Sequence, residues 1–283
     1  MATSFGTIIR AGRGGRQRGS GRDASRLESA VRATLRSVEP YLVLHIDPRL
    51  VVVDKLANVP AAPDPSGDAS IRAMVAQRFD CAFLEAPHRL DRRVTGALAF
   101  ARSAQAAAIL SEAFRLRKVR KIYLAVVERA PEAETGVLVH RLRHDGRRNV
   151  SRVESVDPAL AAGWEADARA GRAVPSEIAV LAWRRAALSE RYALVEVELL
   201  TGRHHQVRAQ LAAGLSPIRG DLKYGARRSC GNGLVMLHAW KLSLPPVGKT
   251  PALEIEAPLP ADEPLWSAFP GYPVARAENQ ASM

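Results

Sequence analysis

Cysteine is nearly missing from this chain: Cys81 and Cys230 are the only two in 283 residues. They have neither the spacing of metal ligands nor that of a disulfide framework. Aromatic residues make up only 5% of the sequence, which removes the rows of stacking platforms on which sequence-tolerant single-strand binders depend. No apolar run approaches the roughly 20 residues that a membrane span requires, and no apolar signal region followed by a cleavage site opens the chain. These absences lead us to expect a monomeric protein of a reducing cytoplasm with one or two domains, no membrane contact and no metal.

Positive charge is what the chain has in excess. Lys and Arg number 41 against 29 Asp and Glu, a formal net charge of +12. Such an excess is a statement about partners, most often nucleic acid, and says nothing about fold. With so few aromatics, recognition should rest on arginine. The first 26 residues hold six arginines, six glycines and one acid, Asp23, a composition too polar and too charged to bury a core. Its Gly12-Arg13-Gly14-Gly15 run lacks the preceding strand and the following Lys-Ser of a phosphate loop. Residues 27–39 are helical in composition but show little core-facing pattern. The expected organisation is a basic Gly/Arg-rich arm over 1–39, a folded body over 40–270 and a tail over 271–283.

Within the body, strand and helix signals alternate. Tyr41–Ile46 and Leu50–Asp54 read as strands joined by the turn pair Asp47-Pro48, and residues 60–65 as an extended, proline-rich loop. Ser70 opens a short helix to about Phe79. Ala97–Ala101 is a strand, and Ser103 suits the N-cap of a helix of about 14 residues. Val119–Val127, Val137–Leu142, Ile178–Trp183, Tyr192–Leu200, Leu234–Leu244 and Ala252–Ala257 read as further strands. Residues 155–175 read as an insertion or surface loop, and Gln206–Ala213 as a helix stopped by Gly214. Strands with interspersed helices and no βαβ rhythm predict an α+β fold on a mixed, mainly antiparallel sheet with flanking helices.

One stretch concentrates the chemistry. In Pro87-His88-Arg89-Leu90-Asp91-Arg92-Arg93-Val94-Thr95-Gly96 a single carboxylate sits among three arginines and a histidine, directly before an apolar strand, which is how a site is held on rigid scaffold. Taken alone it is equally a solvated loop with an ion pair. Two later segments decide. His88-Arg89-Leu90-Asp91 with Thr95-Gly96, then Lys121-Ile122-Tyr123-Leu124-Ala125-Val126-Val127, then Thr201-Gly202-Arg203-His204-His205-Gln206-Val207-Arg208 with Gly220-Asp221 and Tyr224-Gly225, resemble the RluA-type pseudouridine synthases in order, spacing and chemistry. The likeness extends over most of residues 42–260, including Asp54-Lys55 and Leu237-His238-Ala239-Trp240.

That resemblance implies an isomerase that detaches uracil from ribose C1′ through N1, turns it and rejoins it through C5. No electron is gained or lost, so neither cofactor nor metal is expected, and the partner is ribosomal or transfer RNA. By the likeness Asp91 is the catalytic carboxylate, Arg208 its permanent counter-ion, and Tyr123 the residue over the base and candidate acceptor of the C5 proton. Arg89 enters the RNA when the uridine is flipped out. His88, Arg92, Thr95, Lys121, Arg203, His205 and Gln206 fall at matched positions as contacts to RNA or support, about half of them expected to be scaffold. The chain departs from the usual pattern at Arg93-Val94, where a hydroxyl is lost, at His204, which replaces a small hydroxyl residue, and at Leu56, where a proline is common. A non-catalytic RNA-binding protein on the same fold is the main alternative. A ribonuclease using His204-His205 would leave Asp91, Tyr123 and Arg208 without a joint role. His140 and His144 share i, i+4 spacing on an expected strand with no acidic third ligand, which argues against a metal.

Overall fold

A computed structural model describes residues 40–272 apart from Asn232 and Asp262. The expected basic arm and nearly all of the expected tail lie outside the described residues. The described chain folds around one sheet of ten strands: β1 (Tyr41–Ile46), β2 (Leu50–Lys55), β3 (Thr95–Ala101), β4 (Arg120–Val127), β5 (Thr135–Asp145), β6 (Val150–Glu154), β7 (Ile178–Leu188), β8 (Ala193–Leu199), β9 (Leu237–Leu244) and β10 (Leu253–Glu256). Their order is β1-β2-β3-β9-β4-β8-β7-β5-β6, with β10 paired to β9 off this path. Every pairing is antiparallel except β3 with β9, which run parallel over Thr95–Gly96 and His238–Ala239. This is the mixed, mainly antiparallel sheet that the pattern predicts, with four flanking helices: α1 (Ile71–Arg78), α2 (Ala104–Arg115), α3 (Pro158–Arg169) and α4 (Gln206–Gly214).

The centre of the sheet is buried on both faces. In β2, Leu50 and Val52 join one apolar cluster with Leu110 of α2, while Val51 and Val53 join the larger one with Leu98, Leu124 and Trp266. This is why β2 reads as a continuous apolar run rather than an alternation. Ser70 and Ser103 cap α1 and α2, each hydroxyl accepting from the backbone N–H three residues on.

One expectation needs correction. Residues 155–175 are not a loop throughout but contain α3, whose N-cap Asp157 accepts from Ala159 N at 2.8 Å and whose first residue is Pro158. Asp-Pro before an alanine-rich run is a helix-start signal; the polar, glycine-containing composition obscured it. Through Trp164 and Ala168 the helix covers Ile178 and Val180 of β7 and Val137 and Val139 of β5. Strand β6, paired along β5, is also absent from the sequence reading, because five residues with two charges carry little periodic signal.

The junction of β3 and β9 positions the loop that precedes β3. Gly96 has φ +116°, and a Cβ there would lie 2.4 Å from Ala239 O. Only glycine permits so close an approach, and it brings that loop, residues 87–94, over the middle of the sheet.

Candidate active site

Lys55, at the end of β2, is fully buried and ties that loop down. Its Nζ donates to Leu56 O at 2.8 Å, Val59 O at 3.0 Å and Arg92 O at 3.1 Å. Burial draws the ammonium down to about 7, against the nearby charges of Asp91 and Asp54, yet three carbonyl acceptors consume the three donors that only the ammonium form supplies. Asn58 N and Arg92 O close the loop at 2.8 Å, and Val94 N to Asp91 O makes a turn at 3.0 Å. Asp91 is therefore presented from a braced turn, with its side chain 18% exposed.

Opposite it stands Arg208 on the first turn of α4, buried to 5% exposure. Its Nη1 donates to Asp91 Oδ2 at 2.9 Å, while Nε and Nη2 donate to the two oxygens of Asp221 at 2.7 and 2.8 Å. Burial alone would weaken its hold on the proton. The Asp221 hydrogen bonds and the charges of Asp221 and Asp91 outweigh that, and the guanidinium is held above its ordinary range. Asp221 fixes the fork and leaves the third side of the guanidinium to Asp91, a bidentate geometry that lysine cannot reproduce.

Tyr123 projects from β4 into the same cleft, which has a volume of about 950 Å³ and is also lined by Arg89, Asp91, Lys121, Arg203, His204 and His205. Burial, and then the charge of Asp91, push the phenol above its ordinary value, so the hydroxyl is protonated at neutral pH. Lys121, two residues before it, is lowered to about 8 by burial and by the neighbouring charges of Arg117 and Arg203. Arg89 is exposed at the mouth and forms no hydrogen bond or ion pair among the described residues.

His205 starts α4 in the left-handed region, φ +51°. Tyr224 OH accepts from Ser151 N at 2.7 Å and lies 3.0 Å from His205 Nδ1. With the imidazole lowered to about 3 by burial, despite the opposing charge of Asp91, Tyr224 donates to Nδ1 and the imidazole proton belongs on Nε2, 3.5 Å from Asp91 Oδ2. His204 stacks on His205 with ring centroids 3.8 Å apart and meets His144 at 4.1 Å. Ser151 supplies the hydroxyl that position 204 lacks: its Oγ is 2.6 Å from His204 O and 3.0 Å from His204 Nδ1.

Of the remaining expected residues His88 lines the cleft with its ring nitrogen engaged in the wall, while Arg92, Thr95 and Gln206 lie outside the lining. His88 accepts from Ala99 N at 2.9 Å and stacks on Phe114. Arg92 reaches Asn58 O and Ser66 Oγ at 3.0 and 2.8 Å and pairs with Asp68. Thr95 Oγ1 meets His238 Nδ1 at 2.8 Å. Gln206 accepts from Thr201 Oγ1 and Arg203 N, both at 2.9 Å, and donates to Val180 O. These four side chains brace the walls. Arg203 does both, donating to Ile178 O at 3.1 Å while lining the cleft. The sequence reading gave no role to Asp221, Lys55 or Tyr224, although all three lie in the quoted motifs. Among the described residues no group of three or more His, Cys, Asp or Glu is arranged to hold a metal ion, and no helix is long and apolar enough to cross a membrane.

Comparison with known proteins agrees with this geometry. A family model described as RNA pseudouridylate synthase matches residues 49–213. An uncharacterized RNA pseudouridine synthase of Zymomonas mobilis is 34% identical over 77% of this chain and 93% of its own length. The ribosomal large subunit pseudouridine synthase C of Salmonella typhimurium is 30% identical over 84% of this chain and 73% of its own. Among solved structures, human RNA pseudouridylate synthase domain containing 4 superposes with a TM-score of 0.58 at 25% identity, covering 84% of this chain and 94% of that one.

Proposed function

This chain belongs to the RNA pseudouridylate synthase family, and from that premise we propose that Asp91 is the group through which it acts on uridine. The protein is an enzyme that isomerises uridine in RNA to pseudouridine. The bond from C1′ to N1 breaks, a bond from C1′ to C5 forms, the C5 proton leaves and N1 gains one. No step moves an electron to or from the base, so the chemistry calls for neither a metal nor a redox group.

One observation carries the assignment: Arg208, clamped by Asp221 through Nε and Nη2, donates from its third nitrogen, Nη1, to Asp91 at 2.9 Å, beside Tyr123 in a cleft large enough for a flipped nucleotide. A permanent cation beside a carboxylate favours its charged form. The carboxylate can then attack C1′ or take the ribose proton whose loss opens an eliminated intermediate. Tyr123 lies over the base, and its neutral hydroxyl takes the C5 proton while passing its own onward. His205 presents its Nε2 proton toward Asp91. Arg89, unpaired at the mouth, fills the space the uridine vacates, and Lys121 and Arg203 face the RNA. His88, Arg92, Thr95 and Gln206 position these groups through their bonds to the walls of the cleft.

The ribonuclease reading would leave Asp91, Tyr123 and Arg208 without a joint role, and burial, which lowers His204 and His205 to about 4 and about 3, disfavours the protonated imidazole that a general acid uses. The arm over residues 1–39 adds phosphate contacts, the catalytic body begins at 40, and the enzyme works as a cytoplasmic monomer, its cleft complete within one chain. The Salmonella relative is named for the large ribosomal subunit, which makes that RNA the first in which to map pseudouridines with and without the gene. Asp91→Asn keeps the shape and removes charge and nucleophilicity. It should abolish product while RNA affinity stays near wild type; appreciable isomerisation by the pure variant removes Asp91 from this role.

A further inference from the structure

A second cavity, of about 370 Å³, opens at the far end of β4 and shares no residue with the active-site cleft. Arg129, Arg191, Arg219, Arg227 and Arg228 line it, with Tyr192 and one acid, Glu128. Arginines elsewhere on the surface, such as Arg115, Arg120, Arg152 and Arg184, are matched to carboxylates. None of these five is, among the described residues. The carboxylate of Glu128 is occupied by the backbone N–H of Arg227, at 3.0 and 3.2 Å, and Arg219 is aimed by its own bond to Arg228 O at 2.6 Å. Five forked cations in one concavity with a single acid, already engaged, make a site for an anion with several acceptor oxygens.

The cavity is continuous with the active-site framework. Glu128 N to Pro217 O and Arg219 N to Val126 O, at 3.0 and 2.8 Å, fasten residues 216–219 to the end of β4. Two residues further on, the same segment delivers Asp221 to Arg208. Arg129 lies six positions beyond Tyr123, four of them in β4 and two in the bend that follows, at most ~20 Å away at about 3.3 Å per residue. That distance is too long for the target nucleotide and suits its flanks. The half-buried ring of Tyr192 at the rim offers the one aromatic face on which a base can stack. The polar lining rejects an apolar peptide.

We propose that this arginine cavity is a second RNA site, which grips phosphodiesters of the substrate strand outside the modified nucleotide. The proposal rests on the RNA chemistry of the proposed function, but its test is independent of catalysis. Binding of oligouridylates of about 4 and about 16 nucleotides is measured across a salt series for the full chain and for Arg129→Ala/Arg191→Ala/Arg228→Ala, three exposed side chains. Wild type should bind the long oligomer more tightly and with the steeper salt dependence. The variant should keep its affinity for the short one and lose most of the advantage of the long one. Three lost contacts at ~0.7 each remove about 2 from the slope, so between ~50 and ~200 mM salt the affinity of wild type for the long oligomer should fall about 16-fold more than the variant's. The triple lysine variant keeps the charge but not the fork, and should restore the slope and only part of the affinity. An unchanged slope and unchanged long-oligomer advantage in the alanine variant would overturn the proposal and turn the cavity over to an acidic protein partner. An equal loss on both oligomers would overturn it too, placing these arginines in the catalytic cleft's own footprint. Pseudouridine formation in large-subunit ribosomal RNA, assayed separately, tests the enzymatic reading and can fail alone.

Discussion

Replacing Arg208 with methionine isolates the interaction on which the proposed catalytic arrangement depends. Methionine fills a similar volume and removes the cation, leaving Asp221, at 1% exposure, without its bonded partner and Asp91 with only the nearby charge of Lys55. Removing one partner of a buried pair costs about 3–5 kcal/mol, a large part of the ~5–15 kcal/mol that holds a domain together. The pH dependence identifies the cause. A buried carboxylate stripped of its cation is more readily protonated in the folded state than in the unfolded chain. Acid therefore relieves the folded variant more than it relieves wild type. The deficit should be fully present near neutral pH and shrink as pH falls toward the ordinary carboxylate range. Urea unfolding of both proteins across this range reads it directly. The double variant Arg208→Met/Asp221→Asn should recover about 1–3 kcal/mol of coupling without recovering activity, and Arg208→Lys should keep some of each. Any residual turnover in Arg208→Met should show its acid limb moved to higher pH. A deficit under about 1 kcal/mol, or one that stays constant with pH, would refute the argument that Asp221 and Asp91 depend on this guanidinium.

Two other substitutions separate roles that the geometry superimposes. Tyr123→Phe keeps the ring and should hold RNA as wild type does while slowing single turnover by about 10²–10⁴-fold, whereas Tyr123→Ala should lose base binding as well; wild-type rates for the phenylalanine variant would confine Tyr123 to stacking. Gly96→Ala puts a Cβ 2.4 Å from Ala239 O at φ +116° and should cost about 3 kcal/mol or more in thermal and urea unfolding, with activity lost as the Asp91 loop shifts; a variant as stable as wild type would mean that β3 and β9 have room to part.

Most strands were legible because their burial leaves a pattern. β2 is apolar on both faces, and β8 alternates Val195 and Val197 with Glu196 and Glu198. β6 was not legible, since it is held by pairing with β5 rather than by a face of its own, and α3 was hidden by a composition shared with loops. Within the site, the resemblance brought Asp91, Tyr123 and Arg208 to attention; Asp91 and Tyr123 line one cleft, and Arg208 bonds Asp91 from behind it. The resemblance could not divide contact from support among the others, because that division is made by partners distant in sequence. Thr95 is occupied by His238, Gln206 by Thr201 and Val180, and Arg92 by Asn58, Ser66 and Asp68.

Asp221 shows where the limit lies. Its place after Gly220 was visible as a motif pair, yet its role depends on two facts that no linear pattern contains. Gly220 adopts φ +85°, with the space for a Cβ already taken by Leu234 O at 2.3 Å, and this turns residue 221 inward. The segment before it is fastened to β4, which sets the distance to α4. Given both, the carboxylate meets Arg208 with both oxygens, and an arginine held there through Nε and Nη2 presents Nη1 to Asp91 in a directed bond. The orientation of the proposed catalytic carboxylate is thus set from behind, by a buried acid that never faces the substrate, and so by the same loop whose other end lines the arginine cavity.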